Sequence, residues 1–321
     1  MKTDKTRLLL LLLLTLVVGC AMYEPAAVPA GAENAATQAV VRVESPLRWN
    51  EAQTLHRGIK YLKLEFDEPR MIKAYLVRID LKTRGLKFTG TGRADRWGEP
   101  MLDVTNRVTI IRTRRQTTVN FMRQLRKPVA EGGRGLDAVL AFNSAAWEPW
   151  EKPFTHRYAY PYGLQISDGV IINKGGGGGT FAVRKDGSAF IARRIPQEQH
   201  GELSLAHTGF GVIMENGKSL AKPGDTALAP RMAYGLSANK RWLYVLAVDG
   251  RQEGWSLGAN MHDLVAILRA AGASDALNMD GGGSTSLVHW DESRGRPVML
   301  NRHDERGSAR SVAMNIGIYF E

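Results

Sequence analysis

Residues 276–286 read Ala-Leu-Asn-Met-Asp-Gly-Gly-Gly-Ser-Thr-Ser, and they form the strongest structural signal in the chain. The mainly apolar residues at 276–279 predict a short buried strand. The three glycines that follow allow a sharp turn whose successive N–H groups can face an anion. Asp280 lies between the strand and the turn. The stretch therefore predicts a rigidly held carboxylate beside an anion site, with a tight turn capped by Asp280 as the alternative.

Further strands are predicted on the amino-terminal side of this turn. Alternating apolar and polar residues favour strands at 59–66 and 72–80, and apolar runs favour buried strands at 138–142 and 243–248. Asp-Gly and Asn-Gly pairs between short apolar runs are typical of β-hairpins. Such hairpins are predicted at 164–172, at 181–191 and from 212 onward.

Two helices are predicted among these strands. Residues 117–127 have helical spacing, with three apolar side chains on one side. A second helix begins at Asn260, an N-cap with Asp263 three residues later, and ends at Gly272. Because strands dominate and helices are few, the predicted fold class is α+β, with a mixed twisted β-sheet in a single domain.

The composition excludes a disordered chain, since 44% of the 321 residues are hydrophobic and 23% are charged. The net charge of +11 indicates negatively charged partners. For an exported protein these are anionic glycans, phosphodiester polymers or lipid headgroups. Nucleic acid is not predicted, because aromatic residues are not interleaved with the basic ones. One basic cluster is interpreted as a solvated helix face: Arg112, Arg114, Arg115, Arg123, Arg126 and Lys127.

The amino terminus is typical of an exported lipoprotein. Basic residues precede an apolar run at 8–18 that is too short to span a bilayer, which predicts a signal peptide over residues 1–19. Cys20 resembles the cysteine of the bacterial lipobox, and this implies cleavage before Cys20, lipidation of its thiol and a diacyl-plus-acyl anchor that contains palmitate. Ala21 in the next position favours the outer membrane. The alternative is an ordinary signal peptide in which Cys20 is buried.

The rest of the chain divides into a tether and one domain. Residues 20–54 follow the signal peptide and are rich in Ala, Pro, Glu and Val, which predicts a flexible tether. Residues 55–321 contain neither a second linker nor a repeat, so they are predicted to form a single domain.

Several common templates are excluded. Neither glycine cluster is followed by Lys-Ser or Lys-Thr, so neither is a nucleotide P-loop, and the cluster at 175–179 is interpreted as a mobile loop. Ser284 lacks the glycine two residues later that a nucleophile elbow requires. No two of the seven histidines are spaced for a helical zinc site, and a single cysteine excludes a disulfide framework.

Three segments together resemble the phosphodiester glycosidase family. They are Ala-Pro-Arg-Met-Ala-Tyr-Gly at 229–235, Val-Asp-Gly-Arg-Gln at 248–252 and the Asp280 stretch itself. Weaker similarity lies at 141–143, 161–164 and 310–317, so that the resemblance covers about residues 55–321. This chain departs from the family at two places: Met232 stands where the family usually has threonine, and Asn143 is followed by Ser-Ala-Ala-Trp rather than by glycines and a phenylalanine.

The resemblance implies a hydrolase that cleaves the bond between a sugar's anomeric carbon and a phosphodiester oxygen. The implied catalytic carboxylates are Asp280 and Asp249, since an oxocarbenium-like sugar needs a carboxylate as base or stabiliser. Arginine suits the leaving phosphate, because its fork matches two phosphate oxygens. The implied substrate-binding residues are Arg231 and Arg310 with Gly281, Gly282, Gly283 and Ser284, and Asn143 and Asn278 for sugar hydroxyls.

Other functions stay open on the sequence alone. The chain could be a non-catalytic lipoprotein that binds a glycan or phosphoglycan, or a structural envelope protein in which the glycine turn only folds the chain. No cofactor is identified; an Asp/Asn cluster could hold Ca²⁺ or Mg²⁺, although no ligands can be named. The predicted partners are an anionic glycan or sugar phosphodiester and a membrane, reached through the lipid anchor.

Overall fold

The computed structural model describes residues 39–102, 104, 109–150, 156–303 and 307–321. The predicted signal peptide, Cys20 and the first part of the predicted tether lie outside these residues. In the described part of the chain, no helix is long and apolar enough to cross a membrane.

Strands account for most of the regular structure, as predicted. In chain order they are β1 (Gln53–His56), β2 (Ile59–Phe66), β3 (Ile72–Asp80), β4 (Leu86–Gly90), β5 (Pro100–Met101), β6 (Thr109–Ile110), β7 (Thr113–Arg114), β8 (Asp137–Asn143), β9 (Trp147–Glu148), β10 (Tyr158–Pro161), β11 (Leu164–Ser167), β12 (Val170–Lys174), β13 (Thr180–Arg184), β14 (Ala189–Ala192), β15 (Leu203–Thr208), β16 (Gly211–Glu215), β17 (Lys218–Ser219), β18 (Arg231–Leu236), β19 (Trp242–Val248), β20 (Asp275–Asn278), β21 (Leu287–Asp291), β22 (Arg296–Met299) and β23 (Asn315–Phe320). The α-helices are α1 (Thr118–Arg126) and α2 (Met261–Ala271).

Three larger sheets build the domain. Sheet I has the strand order β1-β2-β3-β19-β18-β20-β16-β17, sheet II has β22-β21-β8-β23-β4, and sheet III has β12-β11-β15-β13-β14. Small sheets are formed by β7-β10-β9 and by β5-β6. Every pairing between described strands is antiparallel, so the prediction of a mixed sheet is wrong. Buried apolar runs are typical of central strands in both parallel and antiparallel sheets. The sequence pattern therefore did not distinguish a mixed sheet from an antiparallel one.

The three sheets enclose one central apolar core. Tyr234 of sheet I lies edge-on to Phe142 of sheet II and to Phe181 of sheet III, with ring centroids 5.2 Å and 5.7 Å apart. Helix α2 covers the outer face of sheet I, and α1 covers the outer face of sheet II. Strands far outnumber helices among the described residues, so the prediction of a β-rich single domain with few helices is confirmed.

Local signals explain both helices. In α2 the Asn260 side chain accepts from the N–H of Asp263, and the Asp263 carboxylate accepts from the N–H of Asn260, which forms the expected capping box. Gly272 ends the helix with a φ of +105°, a conformation that favours glycine. In α1 the N-cap is Thr117, and the predicted apolar side faces sheet II.

The segment before β1 is packed on the domain rather than free. Val41 and Trp49 are buried against α2, and the N–H of Val41 donates to the Asp263 carboxylate over 2.9 Å. The indole N–H of Trp49 donates to the carbonyl of Ala271 over 3.1 Å. Residues 41–54 therefore belong to the fold, and the predicted tether extends too far toward the carboxyl terminus.

The predicted basic helix face is also partly wrong. Only Arg123 and Arg126 of that cluster lie on α1, since the helix begins after Thr117. Arg115 is buried with its guanidinium over the ring of Trp147, and Arg112 lies over the ring of Trp97. Aromatic partners distant in sequence, rather than solvent, surround these two arginines.

Strand order brings the predicted site residues to one edge. β18 is antiparallel to both β19 and β20, with Arg231 opposite Val248 and Ala233 opposite Asn278. The start of β18 therefore lies beside the ends of β19 and β20. Asp249 follows β19 directly and Asp280 lies two residues after the end of β20, so both leave sheet I at the same edge.

Candidate active site

The Asp280 turn is shaped by close contact with the start of β18. The N–H of Gly282 donates to the carbonyl of Pro230 over 2.8 Å. A Cβ on Gly281 would lie 2.6 Å from the same carbonyl oxygen, and Gly282 has a φ of +59°. Glycine is thus required by a close backbone approach at one position and favoured by a left-handed conformation at the next.

The main chain of Asp280 is fixed by the end of β8 in sheet II. Its N–H donates to the carbonyl of Ser144 over 2.8 Å. Its carbonyl accepts a 2.7 Å hydrogen bond from Nδ2 of Asn143. The carboxylate therefore projects from a backbone that two sheets hold.

The Asp280 carboxyl is buried and only partly satisfied. The Ser284 hydroxyl, the N–H of Gly281 and the positive charge of Arg310 are its polar neighbours. Within the described part of the chain, Oδ2 has no hydrogen-bond partner. Burial raises the pKa of Asp280 to about 7, although these neighbours favour the charged form. Functional sites often contain a buried polar atom that lacks a hydrogen-bond partner and belongs to a group with a pKa near neutrality.

The three glycines do not present a free row of N–H groups. The N–H of Gly282 donates to the carbonyl of Pro230 over 2.8 Å, and the N–H of Gly281 is a neighbour of the Asp280 carboxylate. One member of the predicted anion nest, Gly282, is therefore already bonded within the protein. The turn positions Asp280 and Ser284 instead.

Arg310 is brought to Asp280 by the segment that precedes β23. Its Nη1 lies 3.5 Å from Oγ of Ser284, and its guanidinium lies 4.9 Å from the ring centre of Trp150. Ser284 is fully buried between Arg310 and Asp280. The structure thus joins three of the predicted residues in one cluster.

Arg231 reaches the same edge but is bound to main-chain oxygens. Its Nε donates to the carbonyl of Ala259 over 3.1 Å, and its Nη2 donates to the carbonyl of Ala227 over 2.7 Å. Burial and the nearby charge of Arg251 lower the pKa of Arg231. These contacts make Arg231 a support of the loop before β18.

Arg251 is a residue that the sequence interpretation missed. A Cβ on Gly282 would lie 3.3 Å from its Nη1, so its guanidinium lies against the Asp280 turn. The residue has a φ of +59°, which is uncommon outside glycine. It ends the Val-Asp-Gly-Arg motif at 248–251, and that motif was the available signal.

Asp249, the second predicted carboxylate, is saturated with hydrogen bonds. Oδ2 accepts from the Tyr75 hydroxyl at 2.9 Å and from the Trp255 indole at 2.8 Å. Oδ1 accepts from the N–H of Arg302 at 2.9 Å and from Nδ2 of Asn301 at 3.5 Å. Burial raises its pKa, and these donors oppose the rise. This geometry is that of a structural anchor.

The two predicted asparagines differ in whether their side chains already have hydrogen-bond partners within the protein. Asn143 is fully buried, with Nδ2 on Asp280 and Oδ1 accepting from the N–H of Ser286 at 2.9 Å. Both of its polar groups therefore serve the turn rather than a sugar. Asn278 is 6% exposed, and its Oδ1 has no hydrogen-bond partner among the described residues. Of the two, Asn278 retains an acceptor for a ligand.

A buried histidine supports the site and was not predicted. Nδ1 of His207 lies 2.7 Å from the hydroxyl of Ser144, and Nε2 lies 3.3 Å from that of Ser167. Complete burial lowers the pKa of His207 to about 3, so the ring is neutral. Ser144 and His207 resemble a nucleophile and its base, but both are fully buried, which makes the pair structural.

No metal ligands can be assigned. The described residues contain no group of three or more His, Cys, Asp or Glu side chains placed to hold a metal ion.

Comparisons with known proteins identify the family of the chain. The family model of the phosphodiester glycosidases matches residues 140–319, more than half of the chain. No curated protein matches the sequence. A hypothetical protein from Synechocystis is 14% identical, with a TM-score of 0.58 over 83% of this chain and 62% of that one, so this chain spans less than two thirds of that relative.

A second solved structure has the same fold. It is the catalytic domain of zebrafish N-acetylglucosamine-1-phosphodiester alpha-N-acetylglucosaminidase, auto-inhibited by its pro-peptide. It is 15% identical, with a TM-score of 0.55 over 84% of this chain and 87% of that domain. At such identities the two likenesses show the fold alone, and the family model carries the assignment. The chain belongs to the phosphodiester glycosidase family.

Proposed function

We propose that this protein hydrolyses a sugar-1-phosphodiester in a cell-envelope or exogenous glycan. The bond cleaved joins the anomeric carbon to a phosphate oxygen; water adds to the carbon, and the phosphate leaves as an anion. The observation that carries the proposal is the cluster of Asp280, Ser284 and Arg310, in which a buried carboxylate keeps Oδ2 without a partner among the described residues.

The chemistry assigns each residue of this cluster a separate task. Asp280 in its ionised form faces the anomeric carbon, either stabilising the positive charge that builds there or taking a proton from the attacking water. Arg310 stabilises the negative charge that builds on the departing phosphate. A phosphate is already a good leaving group, so holding its charge matters more than donating a proton to it.

The remaining residues keep this cluster in place. Asn143 and Ser144 fix the main chain of Asp280, and the saturated Asp249 holds the adjacent loop through Asn301. Asn278, with its unpartnered Oδ1, is the candidate for a sugar hydroxyl. Rigid support of this kind keeps reacting groups within reach of the transition state.

An assay for released reducing sugar tests the proposal. It uses a panel of sugar-1-phosphodiesters, with an aryl glycoside of the same sugar as the neutral comparison. Parallel reactions with Ca²⁺, with Mg²⁺ and with EDTA test a divalent-metal requirement. Cleavage of a phosphodiester by wild type but not by Asp280→Asn supports the hydrolase. Intact substrate with measurable binding would favour a non-catalytic glycan-binding protein.

We also propose that the enzyme acts from a lipid anchor on Cys20, at the outer membrane. The support is the apolar run followed by Val-Val-Gly-Cys at 17–20. Cys20→Ser should leave the protein uncleaved or soluble and lower its partitioning into detergent. Unchanged partitioning, with the native Cys20 thiol unmodified, would refute the anchor.

A further inference from the structure

A cavity lies close to the candidate active site. It has a volume of about 700 Å³ and is bounded by α1 and the loop after β4. Ser311, which follows Arg310, forms part of its wall, and the Ser311 carbonyl accepts a 3.1 Å hydrogen bond from Nε of Arg115. The positive charge of Arg310 is close enough to Arg115 to lower the pKa of Arg115. The cavity is therefore adjacent to the Asp280 cluster through Ser311 and Arg115.

The described walls of this cavity carry an excess of positive charge. Arginine 134 is neutralised by Asp168, with which it forms a 3.0 Å ion pair. The other charged side chains that line the cavity are Arg93, Arg114, Arg115 and Asp95. Among the described side chains that line the cavity, arginines therefore outnumber carboxylates, in a space of the size that holds small ligands.

Two of these arginines are held in place before any ligand arrives. Arg93 donates from Nε and Nη2 to the carbonyl of Ile171 over 2.9 Å and 2.7 Å, and it stacks 3.8 Å above the ring centre of Trp97. Arg115 lies 4.3 Å above the ring centre of Trp147. Fixed guanidinium groups lose little conformational freedom when they bind an anion.

The electrostatic environment also favours an anion. Burial and the neighbouring Arg310 together lower the pKa of Arg115 to about 10, so both effects act against its positive charge. Arg115 nevertheless stays protonated at neutral pH. A negative group in the cavity would offset both effects, and the exposed Arg114 adds a third positive charge at the rim.

We propose that this cavity is a second anion subsite, which binds a phosphate or carboxylate group carried by the glycan part of the substrate. The proposal rests on the proposed function, since Arg310 would hold the scissile phosphate while the cavity holds the next acidic group along the glycan. The preferred substrate is accordingly a polyanionic glycan rather than a sugar-1-phosphodiester with a single charge.

Binding without turnover gives the direct test. Inorganic phosphate and D-glucuronate are titrated into the full-length protein by calorimetry, and the better of the two identifies the acidic group. The variants are Arg93→Gln and Arg114→Gln, because both side chains are exposed. Arg84→Gln, exposed and outside the cavity wall, removes the same charge as a control. Each cavity variant should raise the Kd about tenfold, the scale of one charge-assisted contact, and the control less than twofold.

Kinetics separate this subsite from the reaction itself. Two sugar-1-phosphodiesters are compared that differ by one additional phosphate on the glycan. The cavity variants should raise KM for the substrate with the additional phosphate about tenfold relative to the other.

The outcomes distinguish the subsite from the hydrolase. No binding of either anion by wild type overturns the subsite, as does equal weakening in Arg84→Gln. A protein that binds phosphate in the cavity yet cleaves no sugar-1-phosphodiester refutes the hydrolase and supports the subsite.

Discussion

Nδ2 of Asn143 donates a 2.7 Å hydrogen bond to the carbonyl oxygen of Asp280. The bond joins the last residue of β8 in sheet II to the second residue after β20 in sheet I. The Tyr234 hydroxyl, from the central strand β18, donates to the Asn143 carbonyl over 2.6 Å. Asn143 thus couples the interface between the two sheets to the position of one carboxylate.

We therefore expect Asn143→Ala to lower both stability and kcat. The lost donor leaves the Asp280 carbonyl buried without its partner, a change worth about 1–3 kcal/mol in the free energy of unfolding. Asn143→Asp keeps an oxygen for the N–H of Ser286 but loses the same donor. Asn50→Ala, at an exposed asparagine, is the control. Denaturant unfolding and turnover of the folded fraction measure the two effects; full kcat in a destabilised Asn143→Ala would contradict a positioning role.

Asp280→Asn should lower kcat by about 10² or more while the fold is kept, the usual scale for a positioned acid–base group. The same variant should be more stable than wild type at neutral and higher pH. The folded pKa of Asp280 is about 7 and its ordinary value is 3.8, so ionisation penalises the native state as the pH rises. The gain should reach at most about 4 kcal/mol above pH 7 and vanish below pH 4.

Unfolding of wild type and variant at a series of pH values measures that gain. Near-wild-type turnover in Asp280→Asn would return Asp280 to the role of a turn residue. An unchanged difference in stability across the series would show that Asp280 does not titrate as described.

The pH dependence of kcat/KM gives an independent prediction. Because the reaction uses the ionised carboxylate, kcat/KM should rise with pH and level off above an apparent pKa of about 7. The phosphodiester titrates far below this range. A profile that falls through pH 7 instead would make Asp280 a proton donor, and a flat profile would remove it from the titrating step.

Much of the fold is predictable from local patterns. The strands predicted at 59–66 and 72–80 are β2 and β3, and the helix predicted at 117–127 is α1 with its N-cap. The capping box of α2 is confirmed in both of its hydrogen bonds. These features depend on residues a few positions apart. Strand direction depends on distant partners, which is why the prediction of a mixed sheet failed.

The candidate site also contains both residues that a local motif identifies and residues whose roles depend on distant contacts. Asp280 and its glycines are visible in a single stretch, whereas the roles of Asp249 and Asn143 depend on contacts more than one hundred residues away. His207 gave no signal, because a lone histidine in sequence does not reveal its two serine partners. A motif locates the candidate carboxylate; only the packed chain shows which polar residues already have hydrogen-bond partners.

We expect the buried neutral ring of His207 to cause a measurable loss of stability in acid. Its folded pKa of about 3 lies below the ordinary value of 6.5, so the unfolded chain binds a proton first as the pH falls. The neutral ring contributes fully to the free energy of unfolding above pH 6.5. This contribution is lost as the pH falls toward 3, at up to about 1.4 kcal/mol per pH unit. Protonation of Asp280 raises the free energy of unfolding as the pH falls from 7 to 4. In wild type this gain should therefore cancel part of the loss caused by His207.

Variants remove that cancellation. His207→Gln should abolish the loss below pH 6.5, whereas His262→Gln, at a partly exposed histidine, should retain it. Unfolding measured in the Asp280→Asn background isolates the histidine. An acid profile that His207→Gln leaves unaltered would refute the assignment.

The two predicted arginines should behave differently, because their contacts differ. Arg310 lies against Ser284 near Asp280, whereas Arg231 binds the carbonyls of Ala227 and Ala259. Arg310→Ala should lower kcat/KM on a sugar-1-phosphodiester by about 10²-fold, the loss of charge-assisted contacts to the leaving phosphate. Activity on a neutral aryl glycoside should change far less, and Arg310→Lys should restore part of the loss.

Arg231→Ala should instead lower thermal stability and reduce activity on both substrates alike, since it releases the loop before β18. Both substrates are measured on folded protein, with the melting temperature of each variant recorded. Equal losses on the two substrates in Arg310→Ala would rule out its contact with the leaving phosphate. A selective loss in Arg231→Ala would show that this side chain exchanges its carbonyl partners for phosphate oxygens when substrate binds, which would place both arginines on the leaving group.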